Sequence, residues 1–279
     1  MRERFCLLKR FLYGCVLLCI SAHVIANPVA REEIVMIPYD WAWELEVTVL
    51  KPEGVGPFPM VVINHGKDGV PAREQNRFRP MRAAQEFLKR GYVVVLPMRS
   101  GFSKSDGSYK QRGCDLRKDA ITQAKSIDMT IQYFSKESYI DASSILLVGY
   151  SYGGLVSVAY GSIYQHPSVK GIINFSGGLK NLSGPCIWDV SLLKAFSEFG
   201  KTSRIPNLWI YAANDELFPV TLASNLAAVY RQGGAPLHSV VIDSYGGEGH
   251  RLFDDSRGVR YWSQYVTEFL KEIHFENNR

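Results

Sequence analysis

The sequence predicts an α/β fold, a mostly parallel sheet with helices on both faces, and three observations carry that prediction. Continuous apolar runs at residues 59–64, 92–97, 145–149, 169–175 and 206–212 lack polar alternation, as strands buried on both faces do. Between them, apolar residues recur at helical spacing, so that strands and helices alternate in the order that winds a parallel sheet through right-handed crossovers. The run at 145–149 also ends in Gly149-Tyr-Ser151-Tyr-Gly153 and passes directly into a helix-like stretch, the order of a strand, a sharp turn and a helix.

Residues 1–26 come first and read as a secretory signal peptide. A basic start is followed by an apolar run over 11–26, closing on Val24-Ile25-Ala26 ahead of Asn27-Pro28. An uncleaved anchor is the alternative, but the run is shorter than the roughly 20 residues of a spanning helix and contains Gly14, Ser21 and His23. The expectation is a mature chain, 27–279, that is periplasmic or secreted and has no stable membrane insertion after cleavage. The formal charge is +5, but Arg2, Arg4, Lys9 and Arg10 against Glu3 carry much of it. The near-neutral body offers no polybasic field for nucleic acid. Cys6, Cys15 and Cys19 fall within the segment expected to be removed, which leaves Cys114 and Cys186. In an oxidising compartment these two are expected to form a disulfide.

Residues 33–37 and 45–50 are β-branched runs that read as an antiparallel pair at the sheet edge. The strand at 59–64 ends in Asn64-His65-Gly66 and a polar loop. Met81, Ala84, Phe87 and Leu88 then mark a helix that Gly91 stops. After the strand at 92–97 and a loop at 99–107, Leu116, Ala120, Ala124, Ile127, Ile131 and Phe134 line one face of a long helix. Residues 141–144 read as a turn, 155–165 as the helix after the elbow strand, 239–243 as the last strand, and 222–231 and 261–273 as closing helices. Segment 176–205 breaks the alternation, being longer than a connection needs. It reads as a short cap over the site, with Trp188 and Phe196 as apolar walls for a substrate, or more plainly as a surface helix over 192–199 packed on the body. Without an internal repeat, low-complexity tract or linker, 27–279 is read as one domain.

A serine nucleophile needs a base to take its proton and an acid to orient that base. In this layout the three follow in the order serine, acid, histidine, each in a loop at the carboxyl end of a strand. Gly149 and Gly153 are small enough for strand and helix to approach at Ser151, and the next amide, that of Tyr152, would face a bound carbonyl oxygen. Asp215 follows the next-to-last strand, with Glu216 as competitor. His250 closes a glycine-rich loop, 244–250, after the last strand. His23 lies in the signal, and His166, His238 and His274 read as surface or packing residues. His65 ends its strand and is expected to shape the adjoining loop, with a role as base the lesser alternative.

On these residues the chain resembles the α/β-hydrolase superfamily, and within it exported bacterial proteins of the dienelactone-hydrolase-like group. The resemblance covers residues 33–275 and is carried by Asn64-His65-Gly66, the stretch 90–101, Gly149-Tyr-Ser-Tyr-Gly-Gly154, Asn214-Asp215 and Gly249-His250. It implies an eight-stranded, mostly parallel sheet and a triad of Ser151, Asp215 and His250. By the family pattern the amide of Lys67, just after His-Gly, is the second oxyanion donor beside that of Tyr152. Dienelactone hydrolase proper uses cysteine where this chain has Ser151, so the scaffold carries over and that particular lactone chemistry does not. The expected function is a serine hydrolase that cleaves small carboxylic esters through an acyl-enzyme on Ser151, without cofactor or metal. A compact serine peptidase or amidase, and a non-catalytic exported binding module on the same fold, stand as alternatives. The oligomeric state is not legible.

Overall fold

The computed structural model describes residues 31–180, 185–243 and 245–276, and the expected signal segment lies outside them. Eight strands follow in chain order: β1 (Arg31–Pro38), β2 (Glu44–Lys51), β3 (Phe58–Asn64), β4 (Val93–Pro97), β5 (Ile140–Tyr150), β6 (Val169–Phe175), β7 (Asn207–Ala212) and β8 (Leu237–Ile242). They form one sheet in the order β1-β2-β4-β3-β5-β6-β7-β8. The expected antiparallel pair is the β1–β2 hairpin at the edge, and β2 also runs antiparallel to β4. Every other pairing is parallel.

The lack of polar alternation in the central strands is explained by two cores, one on each face. Met60, Val62, Val93, Val95, Ile145 and Leu147 point to one, and Val61, Ile63, Val94, Leu96, Leu146 and Val148 to the other, because successive side chains leave opposite faces of a strand. The first core is covered by α2 (Leu116–Phe134), α3 (Tyr152–Ile163), α4 (Trp188–Thr202) and α5 (Val220–Gln232), and the second by α1 (Met81–Leu88) and α6 (Val259–Glu272). Each apolar side chain buried in this way contributes about 1.5–3 kcal/mol.

Two expectations change in the structure. Residues 141–144 belong to β5, where Phe58 pairs with Ile140 and Met60 with Ile145, leaving Pro59 opposite all four. Pro59 has no amide to donate to a ladder, and the carboxylate of Asp141 accepts instead from the amide and hydroxyl of Ser143 (3.0 and 2.6 Å). The turn chemistry is present, but as a bulge inside a longer strand.

The second change concerns segment 176–205. Helix α4 packs into the body against α2, α3 and α5 through Leu192, Ala195, Phe196 and Phe199. Phe196 is fully buried, edge-on to Trp209 at 4.9 Å, so it is a core residue and not an apolar wall for a substrate. Its spacing from Leu192 and Phe199 turns it to the sheet with them. What remains of the segment toward the site is Trp188, at the start of α4. The segment is tied down by a disulfide between Cys114 and Cys186, which joins the loop before α2 to the loop before α4. Among the described residues no helix is long and apolar enough to cross a membrane.

Candidate active site

β5 delivers the chain to Ser151, whose φ of 56° and ψ of −124° lie in a region a serine rarely occupies. Such a conformation costs about 1–3 kcal/mol and persists only where its surroundings impose it. Here the Ser151 amide donates to the Phe175 carbonyl (2.9 Å), and the Ser151 carbonyl accepts from the amides of Gly154 (2.9 Å) and Gly178 (3.1 Å). A Cβ on Gly149 would collide with the carbonyl of Gly153, and one on Gly153 with that of Asn64. Strand and helix therefore meet only because both positions lack a side chain.

Three loops at the carboxyl edge of the sheet bring the expected residues together. Ser151 Oγ lies 2.9 Å from His250 Nε2, and His250 Nδ1 lies 3.1 Å from Asp215 Oδ2. Asp215 Oδ1 accepts from the amides of Leu217 and Phe218, each at 2.9 Å. All three side chains are screened from water: Ser151 is 9%, His250 5% and Asp215 3% exposed. Burial pushes the Asp215 carboxyl up, but hydrogen bonding and charge interaction with His250, together with the Phe218 amide, outweigh it and hold the group below its usual range. An ionised Asp215 accepts a hydrogen bond from His250 Nδ1–H, which keeps the proton on that nitrogen and leaves Nε2 free to accept from Ser151. Glu216, the competing acid, is exposed, and the carboxylate bonded to His250 Nδ1 is that of Asp215. The Glu248 carboxylate accepts from the His250 amide (2.9 Å) and fixes the short 3-10 turn, Gly249–Phe253, that carries the imidazole.

Aromatic rings wall the imidazole. Tyr150 lies 5.2 Å and Phe218 5.5 Å from it, between ring centroids. Trp188 packs edge-on against Phe218 and so reaches the site through one intermediate ring. Of these rings the sequence points to Trp188 and not to Tyr150 or Phe218. Tyr150 occupies the variable position before the serine and Phe218 lies three residues beyond Asp215, so proximity to the motifs was the available signal.

His65 is fully buried and not a base. Burial and the charge of Arg99 push its pKa well below the ordinary value, and Nε2 accepts from the Arg99 amide (3.0 Å). The remaining proton must be on Nδ1, which donates to the Gly66 carbonyl (2.7 Å). Gly66 backs onto the nucleophile so closely that an added Cβ would stand 3.1 Å from the Ser151 Cβ. Arg99 is also fully buried, with its guanidinium 4.8 Å from the Tyr152 ring and Nη1 donating to the His65 carbonyl (2.7 Å). Burial lowers its pKa to about 10, which still leaves it charged at neutral pH and closed to a substrate carboxylate. The Tyr152 amide opens α3 and is one of the donors that a helix start leaves without an internal partner.

Among the described residues, no group of three or more His, Cys, Asp or Glu side chains is placed to hold a metal ion. Fold and site together define a hydrolase of the α/β-hydrolase class. The family model of the dienelactone hydrolase family matches residues 45–273, and the chain belongs to that family. A search of curated proteins gives no match. Among solved structures, the Pyrococcus furiosus esterase Pf2001 superposes with a TM-score of 0.63 at 17% identity, covering 87% of this chain and 90% of its own. Est1E from Butyrivibrio proteoclasticus, solved with ferulic acid bound, gives 0.62 at 17% identity over 86% and 99%. An acylaminoacyl peptidase of Pyrococcus horikoshii gives 0.63 at 17% identity, covering 87% of this chain but 41% of its own. These likenesses are of fold.

Proposed function

We propose that the chain is a serine hydrolase that cleaves small carboxylic esters through an acyl-enzyme on Ser151. The observation that carries the reading is the continuous hydrogen-bonded path from Ser151 Oγ through His250 to Asp215, at the tip of a strained elbow. His250 Nε2 takes the hydroxyl proton as Oγ attacks the ester carbonyl. The resulting oxyanion is held by the amides of Tyr152 and Lys67, and His250 then protonates the departing alcohol. The same imidazole then deprotonates a water that attacks the acyl carbonyl, and returns that proton to Ser151 Oγ as the acyl–oxygen bond breaks and the acid leaves. A preorganised amide donor in such a place is worth about 10²–10³-fold in rate. Trp188, Phe218 and Tyr150 favour an ester with an apolar acid or alcohol part. Export is part of the proposal, supported by the Cys114–Cys186 bridge.

The test compares wild type with Ser151→Ala on p-nitrophenyl acyl esters of increasing chain length, a lactone and a peptide anilide. Wild type should turn over the esters and bind a fluorophosphonate covalently. The variant should do neither while keeping its circular dichroism and melting temperature. Turnover by the variant would overturn the nucleophile, and a preference for the anilide would move the enzyme to the peptidases.

A further inference from the structure

The Lys67 amide is useful as an oxyanion donor only if the peptide that carries it is held in one orientation. That peptide joins Gly66 to Lys67, so the Gly66 carbonyl and the Lys67 N–H point in opposite directions from one rigid plane. Whatever holds the carbonyl therefore aims the amide. Two side chains hold it: His65 Nδ1 (2.7 Å) and Gln75 Nε2 (3.2 Å), which together use both lone pairs of the oxygen. Gln75 does more. Its Oε1 accepts from the Asp68 amide at 3.0 Å, on the far side of Lys67. One side chain thus grips the peptide before Lys67 and the peptide after it.

The amide orientation of Gln75 follows from its partners. Oε1 must face the Asp68 N–H and Nε2 the Gly66 carbonyl, and the reversed assignment would set donor against donor and acceptor against acceptor. Nε2 also lies 3.2 Å from His65 Nδ1, but that nitrogen already carries its proton because Nε2 of the ring accepts from Arg99, so the two side chains share an acceptor and do not bond to each other. Gln75 is 3% exposed and follows a short 3-10 turn, Ala72–Glu74, its own amide bonded to the carbonyls of Pro71 (3.1 Å) and Ala72 (3.2 Å). That turn is anchored in turn by Arg73, whose guanidinium donates to the carbonyls of Ser103 (3.0 Å), Ser105 (2.7 Å) and Gly107 (2.7 Å).

We infer that Gln75 is a positioning residue for the oxyanion-binding amide of Lys67, acting by clamping the two peptides that flank it. The inference rests on the serine-hydrolase reading above and adds to it a residue that touches neither substrate nor the triad. Its effect should fall on the transition state and spare ground-state binding.

The experiment measures kcat, KM and the affinity of an aryl boronic acid, which forms a tetrahedral adduct on a serine, for wild type, Gln75→Leu and Gln75→Glu. In Gln75→Leu, kcat and boronate affinity should fall together by roughly tenfold to a hundredfold, with KM within about twofold. In Gln75→Glu the acceptor for Asp68 survives and the donor to Gly66 is lost unless the carboxyl is protonated. The ratio of its kcat to that of wild type should therefore rise as pH falls. A folded Gln75→Leu with wild-type kcat would overturn the inference, as would a loss of kcat that leaves boronate affinity untouched. Should Gln75→Leu fail to fold, a pH-independent kcat ratio in Gln75→Glu would overturn it just as well. Failure of the underlying reading shows separately, as turnover by Ser151→Ala.

Discussion

The hydroxyl of Tyr152 donates to the carboxylate of Asp119, so the residue that follows the nucleophile is anchored by its side chain to the first turn of α2. Asp119 is buried and accepts in addition from the Tyr109 hydroxyl (3.3 Å) and the Arg112 amide (2.9 Å), with the Arg99 guanidinium over the Tyr152 ring. Burial pushes the Asp119 carboxyl above its ordinary value against these donors and the Arg99 charge, which all act the other way. The cluster is a polar network under the elbow, and in such a network a missing partner costs more than a present one contributes.

Tyr152→Phe tests that asymmetry. The ring and the backbone amide stay and one donor to Asp119 goes, so stability should fall by about 1–3 kcal/mol while kcat changes little. Asp119→Ala should be worse, because it strands the buried Tyr152 hydroxyl and the part-buried Tyr109 hydroxyl and removes a carboxylate whose charge acts on buried Arg99. Urea melts of both variants, with esterase rates alongside, measure this. Wild-type stability in Tyr152→Phe would show that the network does not hold the elbow.

The Cys114–Cys186 bridge spans 72 residues and closes the loop before α2 onto the loop before α4, and the hydroxyl of Ser191, in the first turn of α4, also donates to the Cys114 carbonyl. Cross-links of this span stabilise by about 2–4 kcal/mol, chiefly by restricting the unfolded chain. Replacing both cysteines by serine should lower the urea midpoint under oxidising conditions and bring the variant level with wild type in dithiothreitol. Because the bridge sits next to Trp188, KM for bulky esters should rise more than kcat falls. Equal midpoints without reductant would mean that the bridge is not formed in solution.

What could be read from the sequence was set by short-range physics. Ser151, Asp215 and His250 each end or follow an apolar run, and parallel strands deliver their carboxyl ends to one edge, so order along the chain translated into proximity. The place of Phe196 is not legible in the sequence because membership of a wall or a core depends on which way α4 faces, and that is decided by its packing on α2, α3 and α5. Residues 141–144 have the composition of a turn, and only the pairing across to Pro59 makes them a bulge. Gln75 and Asp119 were invisible for another reason. Their partners are single backbone or hydroxyl groups at no regular spacing along the chain, and no spacing rule announces such contacts.

Asp254 predicts a pH effect of opposite sign to the usual carboxylate. Burial raises its pKa from 3.8 to about 6, although the amides of Arg82 and Ala83 at the start of α1 pull it down. A carboxyl whose folded pKa exceeds its unfolded one favours folding while protonated. The advantage is complete below the unfolded value and is lost as pH rises from about 4 through 6. Wild type should therefore lose stability relative to Asp254→Asn across that interval, and the difference should be flat above pH 7. A constant difference from pH 4 to 8 would place the carboxylate in water.

Asp215→Asn separates what the acid does for folding from what it does for chemistry. In the variant the side-chain oxygen would keep the Leu217 and Phe218 amides, which leaves its NH₂ facing His250 Nδ1. That nitrogen must then accept, the imidazole proton moves to Nε2, and Ser151 Oγ meets a donor where it needs a base. Turnover at neutral pH should fall about 10³–10⁴-fold with little change in KM. The stability effect has its own pH signature. The Asp215 carboxyl is held below its ordinary value, so the stability it contributes is present above the unfolded pKa near 4 and is lost as pH falls through the folded value. The gap in urea midpoint between wild type and Asp215→Asn should narrow as pH falls below 4. A variant that kept more than a tenth of wild-type kcat would exclude Asp215 as the residue that sets the tautomer of His250. A gap that widened at low pH would mean that the carboxyl is held protonated, reversing the charge assignment on which the tautomer argument depends.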